Sequence, residues 1–289
     1  MMTDKPRHAL SGPVVGGVQV PQFVYGTAWK EDRTESLVLQ ALAAGFRAFD
    51  TANQRKHYVE AGVGDALRQA CDEGLVRRND LFLQTKFTYE RGQDHRVPYD
   101  PAAEPEEQVR QSMASSLDHL HAGQVDSYVL HGPSTFDGLA ETDHRVWKTM
   151  EELQLEGKTR FLGVSNVSLE QLQALCDRAT VLPTFVQIRC YASQGWSRDI
   201  REFCGKHGIL FQGFSLLTAN RPELQDPRVQ EMAVHHGKTV PQLVFRFARQ
   251  LGMIPLTGTS HPDHMRQDLE IQDFSLSPEE VATIERLSG

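Results

Sequence analysis

The chain has 289 residues, 39% of them hydrophobic, enough to bury a large core in one big α/β domain or two ordinary ones. A net charge of −8 and a pI near 5.8 argue against a polyanion-binding surface, and so against nucleic acid as a partner. No apolar run approaches the ~18 residues of a membrane span, and the opening MMTDKPRHALSG carries no signal-peptide core. Cys71, Cys176, Cys190 and Cys204 have neither CxxC nor zinc-ligand spacing, so the expectation is a cytoplasmic protein with reduced thiols and no metal.

In chain order, PVVGGVQVPQF comes first, alternating around Gly16-Gly17, and predicts a hairpin within residues 10–22. Eight apolar runs follow: FVYG (23–26), RAFD (47–50), LFLQTK (81–86), SYVLH (127–131), RFLGVS (160–165), FVQI (185–188), ILFQGF (209–214) and MIPL (253–256). Helical patterns separate them. In QVRQSMASSLDHL, Val109, Met113, Leu117 and Leu120 form one stripe of a helix. Ser168 with Gln171 makes a capping box before LEQLQALC, while Gly45 and Gly157 close the helices ahead of them.

Strands buried on both faces and alternating with helices imply a parallel sheet. Eight such units in about 250 residues predict a (β/α)8 TIM barrel, with the hairpin capping its floor and residues 1–289 forming one domain. An open doubly wound sheet would want a GxGxxG turn after its first strand, where Gly26-Thr27-Ala28-Trp29 stands instead. GVGDAL at 62–67 follows no strand and is read as helix.

A barrel does its chemistry where its strands end. Those ends carry Asp50, Lys86, His131, Ser165-Asn166, Gln187, Phe214-Ser215 and Thr257-Gly258-Thr259. Singly each has an ordinary reading: a solvated cation for Lys86, a helix cap for Asp50, a core histidine for His131. Together they bring an anion, a cation and an imidazole to one mouth, where each perturbs the others.

The stretches FDTA (49–52), LFLQTKF (81–87), VDSYVLHGP (125–133), GKTRFLGVSN (157–166), VQI (186–188), GFSLL (213–217) and LSPEE (276–280) resemble the aldo-keto reductases over nearly the whole chain. The resemblance implies reduction of an aldehyde or ketone carbonyl with a nicotinamide cofactor. It makes a tyrosine the proton donor, assisted by Lys86, Asp50 and His131. It lays the cofactor along Gly26, Thr27, Asp50, Ser165, Asn166, Gln187, Phe214, Ser215, Leu217, Thr257, Gly258, Thr259, His264, Gln267 and Asp268. Phe214 stands where the family usually has a tyrosine; stacking needs the ring and not the hydroxyl.

The opening loop departs from the family. Its tyrosine lies five positions after the aspartate and three before a glutamate; here those positions hold Arg55 and His57, because the loop is two residues longer. Tyr58 is the one tyrosine in the loop, and a phenol suits proton donation better than an imidazole beside a lysine. The apolar stripe Val63, Ala66, Leu67 and Ala70 places Tyr58 in the first turn of the next helix, so its reach depends on how the loop rotates that helix. Arg55 and Lys56 either solvate the loop or meet an anionic substrate group. Trp29 and Trp196 are candidate walls of the substrate pocket, together with His131.

Where NADP-preferring relatives carry a lysine and an arginine for the 2′-phosphate, this chain has Leu256 and His264. NADP(H) is the expected cofactor, with NAD(H) or dual use open. The expected partner is a small-molecule carbonyl compound, and the expected state a monomer or weak homo-oligomer. Two rival readings stand beside the enzyme. One is a catalytically quiet nicotinamide-nucleotide sensor or auxiliary subunit on the same barrel. The other is a metal-dependent hydrolase using His131 and Asp50.

Overall fold

A computed structural model describes residues 12–287, so the first two positions of the predicted hairpin lie outside the described residues. Strands β1 (Val14–Val15) and β2 (Val18–Gln19) pair antiparallel. Gly16 and Gly17 turn between them with φ of 54° and 79°, a left-handed pair that glycine adopts without a Cβ clash.

Eight parallel strands then close on themselves: β3 (Val24–Gly26), β4 (Ala48–Asp50), β5 (Phe82–Phe87), β6 (Val125–Leu130), β7 (Thr159–Ser165), β8 (Phe185–Arg189), β9 (Leu210–Phe214) and β10 (Ile254–Thr257). Neighbours follow chain order, and β10 closes the ring on β3 with Leu256 opposite Val24. The fold is a (β/α)8 barrel, and the open doubly wound sheet is excluded. The fourth predicted run shifts: it starts at Val125 and ends at Leu130, which leaves His131 as the first residue beyond the strand.

Helices α1 (Thr34–Ala44), α2 (Glu60–Asp72), α3 (Pro105–His119), α4 (Glu141–Leu155), α5 (Leu169–Arg178), α6 (Arg198–His207), α7 (Pro227–His236), α8 (Val240–Gln250), α9 (Pro262–Leu269) and α10 (Pro278–Glu285) accompany the strands. The Ser168 capping box on α5 forms, with Ser168 Oγ accepting from Gln171 N. Gly64 of α2 lies so near α3 that a Cβ there would sit 2.0 Å from the His119 carbonyl oxygen. Close helix packing is thus what places a glycine in GVGDAL.

Period two along each strand divides the barrel interior into layers. Val20, Val24, Ala48, Phe82, Phe161, Phe185 and Ile254 fill the floor, with the Phe185 ring meeting Phe82 and Phe161 edge-on at 5.6 and 5.9 Å. Val15 and Val18 of the hairpin pack against this layer, so the hairpin caps the floor as predicted. Two residues further along the same strands stand Gln84, Gln187 and Gln212, all buried. Beyond them come Lys86, Arg189 and Phe214. The interior therefore passes from apolar floor to polar mouth within four residues of strand.

Candidate active site

A cavity of about 1210 Å³ opens at the C-terminal ends of the barrel strands. It exceeds the several hundred Å³ that one compact ligand fills. Its wall includes Asp50, Tyr58, His131, Ser165, Asn166, Gln187, Phe214, Ser215, Leu217, Gly26, Thr257, Gly258, Thr259, His264, Gln267 and Asp268. Fold closure brings these residues together from loops spread over more than two hundred positions of chain.

Behind Asp50, which lines the cavity, Lys86 is fully buried. Its Nζ donates to Asp50 Oδ1 and Oδ2 at 2.7 and 2.6 Å and to the Thr51 carbonyl at 2.8 Å, so all three ammonium protons are committed. Burial pulls the ammonium below its ordinary pKa, and Asp50 opposes that pull. Held in this pair, Lys86 adjoins the phenol: its Nζ lies 5.2 Å from the centre of the Tyr58 ring.

Tyr58 sits before the helix instead of in its first turn. Helix α2 starts at Glu60, and the longer loop folds on itself, His57 N and Tyr58 N both donating to the Gln54 carbonyl at 3.1 and 3.0 Å. This local turn, and not the rotation of α2, aims the two side chains. Tyr58 points inward, its ring 6.0 Å from that of His131 in an edge-on arrangement. His57 lies against Trp29 at the rim, ring centres 4.0 Å apart, with Nδ1 bonded to Gln54 Oε1 at 2.8 Å. Burial, reinforced by Asp50, raises the Tyr58 pKa well above that of a free phenol, while Arg189 opposes the rise. The phenol therefore keeps its proton at neutral pH. His131 is driven the other way by burial, then by Lys86 and His57, and stays a neutral imidazole. Its Nδ1 pairs with Thr88 Oγ1 at 2.7 Å.

At the end of the neighbouring strand β7, Ser165 Oγ donates to the Gln187 carbonyl at 2.8 Å, and Asn166 Nδ2 bonds the His131 carbonyl at 2.8 Å and Ser165 Oγ at 3.1 Å. Asn166 and Ser215, each the first residue after a barrel strand, hold φ of 54° and 56°. Backbone this sparsely populated persists where surrounding bonds impose it, and it clusters at functional sites. Towards the far end, Tyr25 Oη donates to the Thr259 carbonyl at 2.8 Å and Lys30 Nζ donates to the Gly258 carbonyl. The His261 and His264 rings stack at 4.6 Å at the start of α9.

Several predicted side chains lie elsewhere. Trp196 is no pocket wall: it is wholly buried against Phe247, 5.2 Å between ring centres, and its Nε1 donates to the Ile284 carbonyl. A large ring followed by helix α6 is drawn into the core beneath α8 and α10. Trp29, in contrast, does line the cavity and is 66% exposed. Thr27 is buried with both N and Oγ1 donating to the Asp50 carbonyl, at 3.0 and 2.9 Å, so it braces β4 from outside the cavity wall. Arg55 turns from the mouth to His119 Nε2 at 2.5 Å, and Lys56 is exposed. Arg266 pairs with Asp263.

Lys30, Arg91, Arg189 and Arg221 also line the cavity and escape a reading of strand ends alone. Arg189 holds its guanidinium 5.4 Å from the centre of the Phe214 ring. Its signal was available, since Arg189 follows Gln187 by two and shares its side of β8. Gln84 and Gln212 carry the same signal, as polar residues at inward positions of apolar runs.

Asp268 accepts a hydrogen bond from Thr257 Oγ1 at 2.7 Å, yet burial pushes its carboxyl up to about 7. An unfolded aspartate titrates near ~3.9. Below that pH both states hold the proton; between ~4 and about 7 only the unfolded chain releases it. Stability is thus favoured below ~4 and declines as pH rises through 7. Asp268→Asn, which keeps the acceptor for Thr257 and removes the charge, should raise the melting temperature of the ligand-free protein at pH 8, by at most ~4 kcal/mol of stability. The gain should vanish by pH 4. Equal gains at both pH values, measured by calorimetry, would show that the buried charge is not the cause.

The chain matches the sequence profile described as the Aldo/keto reductase family over residues 15–288. It is 30% identical to an NAD(P)H-dependent 6′-deoxychalcone synthase of Glycine max, an alignment covering 96% of this chain and 87% of the relative. It is also 30% identical to the methylglyoxal reductase DkgA of Escherichia coli strain K12, over 94% of this chain and 90% of that one. Among solved structures, an aldo/keto reductase of Brucella melitensis superposes with a TM-score of 0.79 at 28% identity, covering 94% of this chain and 96% of the other. An aldo-keto reductase crystallised with NADPH superposes with a TM-score of 0.81 at 25% identity, covering 94% and 86%.

Proposed function

The chain belongs to the aldo/keto reductase family, and on that premise we propose that it reduces the carbonyl of an aldehyde or ketone to an alcohol with NADP(H) or NAD(H). The observation that carries this is the placement of Tyr58 between the buried Asp50–Lys86 pair and a neutral His131 at the barrel mouth.

The cavity fits a dinucleotide. Its volume is about 1210 Å³, it carries four cations in an acidic chain, and it joins a half-buried aromatic ring, Phe214, to a buried amide, Gln187, and to the threonines before α9. Ser165, Asn166 and Gln187 would hold the nicotinamide carboxamide, Phe214 its ring, and Ser215, Leu217 and Lys30 the pyrophosphate. Thr257, Gly258, Thr259, His264, Gln267 and Asp268 would hold the adenosine end. When bound, the reduced nicotinamide supplies the hydride that the carbonyl carbon gains. The oxygen gains its proton from Tyr58. His131, neutral and held at Nδ1 by Thr88, turns Nε2 to the carbonyl oxygen and orients it. Lys86 supplies positive charge beneath the phenol, which stabilises phenolate as the proton leaves. Trp29, with His57 against it, walls the substrate side.

Leu256 and His264 stand where strongly NADP-selective relatives carry a lysine–arginine pair; NADP(H) is the first cofactor, with NAD(H) or dual use beside it. The supply of a small-molecule carbonyl in the cytoplasm, to a monomer or weak homo-oligomer, completes the reading. Titration of the purified protein with NADPH and with NADH, followed by turnover of 4-nitrobenzaldehyde, tests it. Binding of at least one nucleotide with turnover is expected. Binding without turnover of any aldehyde or ketone would favour the sensor reading, and no binding of either nucleotide sinks both.

A further inference from the structure

Under the Asp50–Lys86 pair lies a closed ring of three amides, of which the mechanism above uses only Gln187. Gln84 Nε2 donates to Asp50 Oδ1 at 2.7 Å and to Gln212 Oε1 at 2.9 Å. Gln187 Nε2 donates to the same two acceptors, at 3.0 and 2.9 Å. Gln212 Nε2 returns a bond to Gln84 Oε1 at 3.1 Å. Gln84 and Gln212 are both fully buried.

The orientation of these amides follows from hydrogen counting. An ionised carboxylate only accepts, so Asp50 forces the NH2 groups of Gln84 and Gln187 towards itself. Each has one proton left, and both remaining protons point at Gln212, which must then present its oxygen. The Gln212 NH2 is left for Gln84 Oε1. Rotating any one amide by half a turn would set like against like, donor facing donor or acceptor facing acceptor, in a dry layer where an unpaired group is costly. One arrangement satisfies the whole ring. In it both Gln187 protons are consumed, and Gln187 Oε1 is the polar atom that this side chain offers to the cavity.

We infer that Gln84 and Gln212 are positioning residues that lock Gln187 as a hydrogen-bond acceptor, so that the cavity selects a nicotinamide whose carboxamide donates through its NH2 group. This rests on the proposed nicotinamide site. It adds a physical link: the carboxylate that holds Lys86 for proton transfer also sets the polarity of the amide that orients the hydride donor. The two halves of the reaction then share one rigid network.

Equilibrium binding of NADP+ and of its 3-acetylpyridine analogue tests this without recourse to activity. The analogue replaces the carboxamide with an acetyl group, which keeps the carbonyl and lacks the NH2. The natural protein should bind NADP+ roughly 3–10-fold more tightly than the analogue, the value of one hydrogen bond in a partly dry site. Gln212→Leu frees Gln187 from one of its two acceptors, and the ratio should fall towards one. Gln84→Leu, which frees Gln212 to rotate, should lower it as well and carries the test if Gln212→Leu fails to fold. Melting temperatures accompany each measurement, and a purely structural role would weaken both nucleotides by the same factor. A ratio that persists in the folded variants, or is absent in the natural protein, overturns the inference and leaves the nicotinamide site standing. Binding of neither nucleotide by the natural protein overturns the site and the inference together.

Discussion

Tyr58→Phe is expected to slow carbonyl reduction by roughly 10²–10⁴-fold, the contribution of a positioned general acid. Melting temperature and nucleotide affinity should stay close to those of the natural protein, because the substitution removes one oxygen at the cavity wall and leaves the ring against Lys86 and His131. His57→Ala should cost less than ~10-fold, since His57 spends Nδ1 on Gln54 and its face on Trp29 at the rim. The comparison matters because glutamate-based spacing, counted back from Glu60, selects His57. Single-turnover rates with preloaded NADPH separate proton transfer from product release. A larger loss in His57→Ala than in Tyr58→Phe would move the donor role to the imidazole. Unchanged rates in both would leave the loop with no proton chemistry.

Lys86→Met should slow the reaction to a similar degree, but with a second consequence that Tyr58→Phe lacks. The Asp50 carboxylate is 3% exposed and takes two of its hydrogen bonds from Lys86. Removing one partner of a buried pair typically costs ~3–5 kcal/mol, because the other charge is left in a dry site. In a chain of this size that corresponds to a melting temperature lower by on the order of 10 °C. Gln84 and Gln187 still donate to Asp50 and soften the loss. Adding Asp50→Asn to Lys86→Met removes the stranded charge, so stability should return in part while activity should not. Recovery of activity in the double variant would show that Lys86 serves the fold alone. A Lys86→Met protein as stable as the natural one would show that the pair is wetter than the structure makes it.

The barrel, its strand order and most of the residues that line its mouth were legible in the sequence for a simple reason. Fully buried parallel strands are continuous apolar runs, and a barrel places every strand end at one mouth, so reading the ends amounts to reading the site. The caps at Ser168 and Gly45 are equally local, set by a side chain within three residues or by a left-handed φ. Other features depended on what lies across the barrel. Whether Trp29 or Trp196 walls the pocket was undecidable from two similar loop tryptophans; packing sent one to the rim and the other beneath Phe247. Helix periodicity put Tyr58 in the first turn of α2, but a turn closed on the Gln54 carbonyl ended the loop before the helix and aimed the phenol independently. Arg55 carried no sign of His119, sixty-four residues away. The amide ring is the clearest division. Alternation along LFLQTKF and LFQGF marks Gln84 and Gln212 as inward-facing polar residues. Only closure of β5, β8 and β9 around Asp50 brings three glutamines from distant strands within hydrogen-bond reach, and hydrogen-bond polarity is a property of the assembled ring, which no single strand contains.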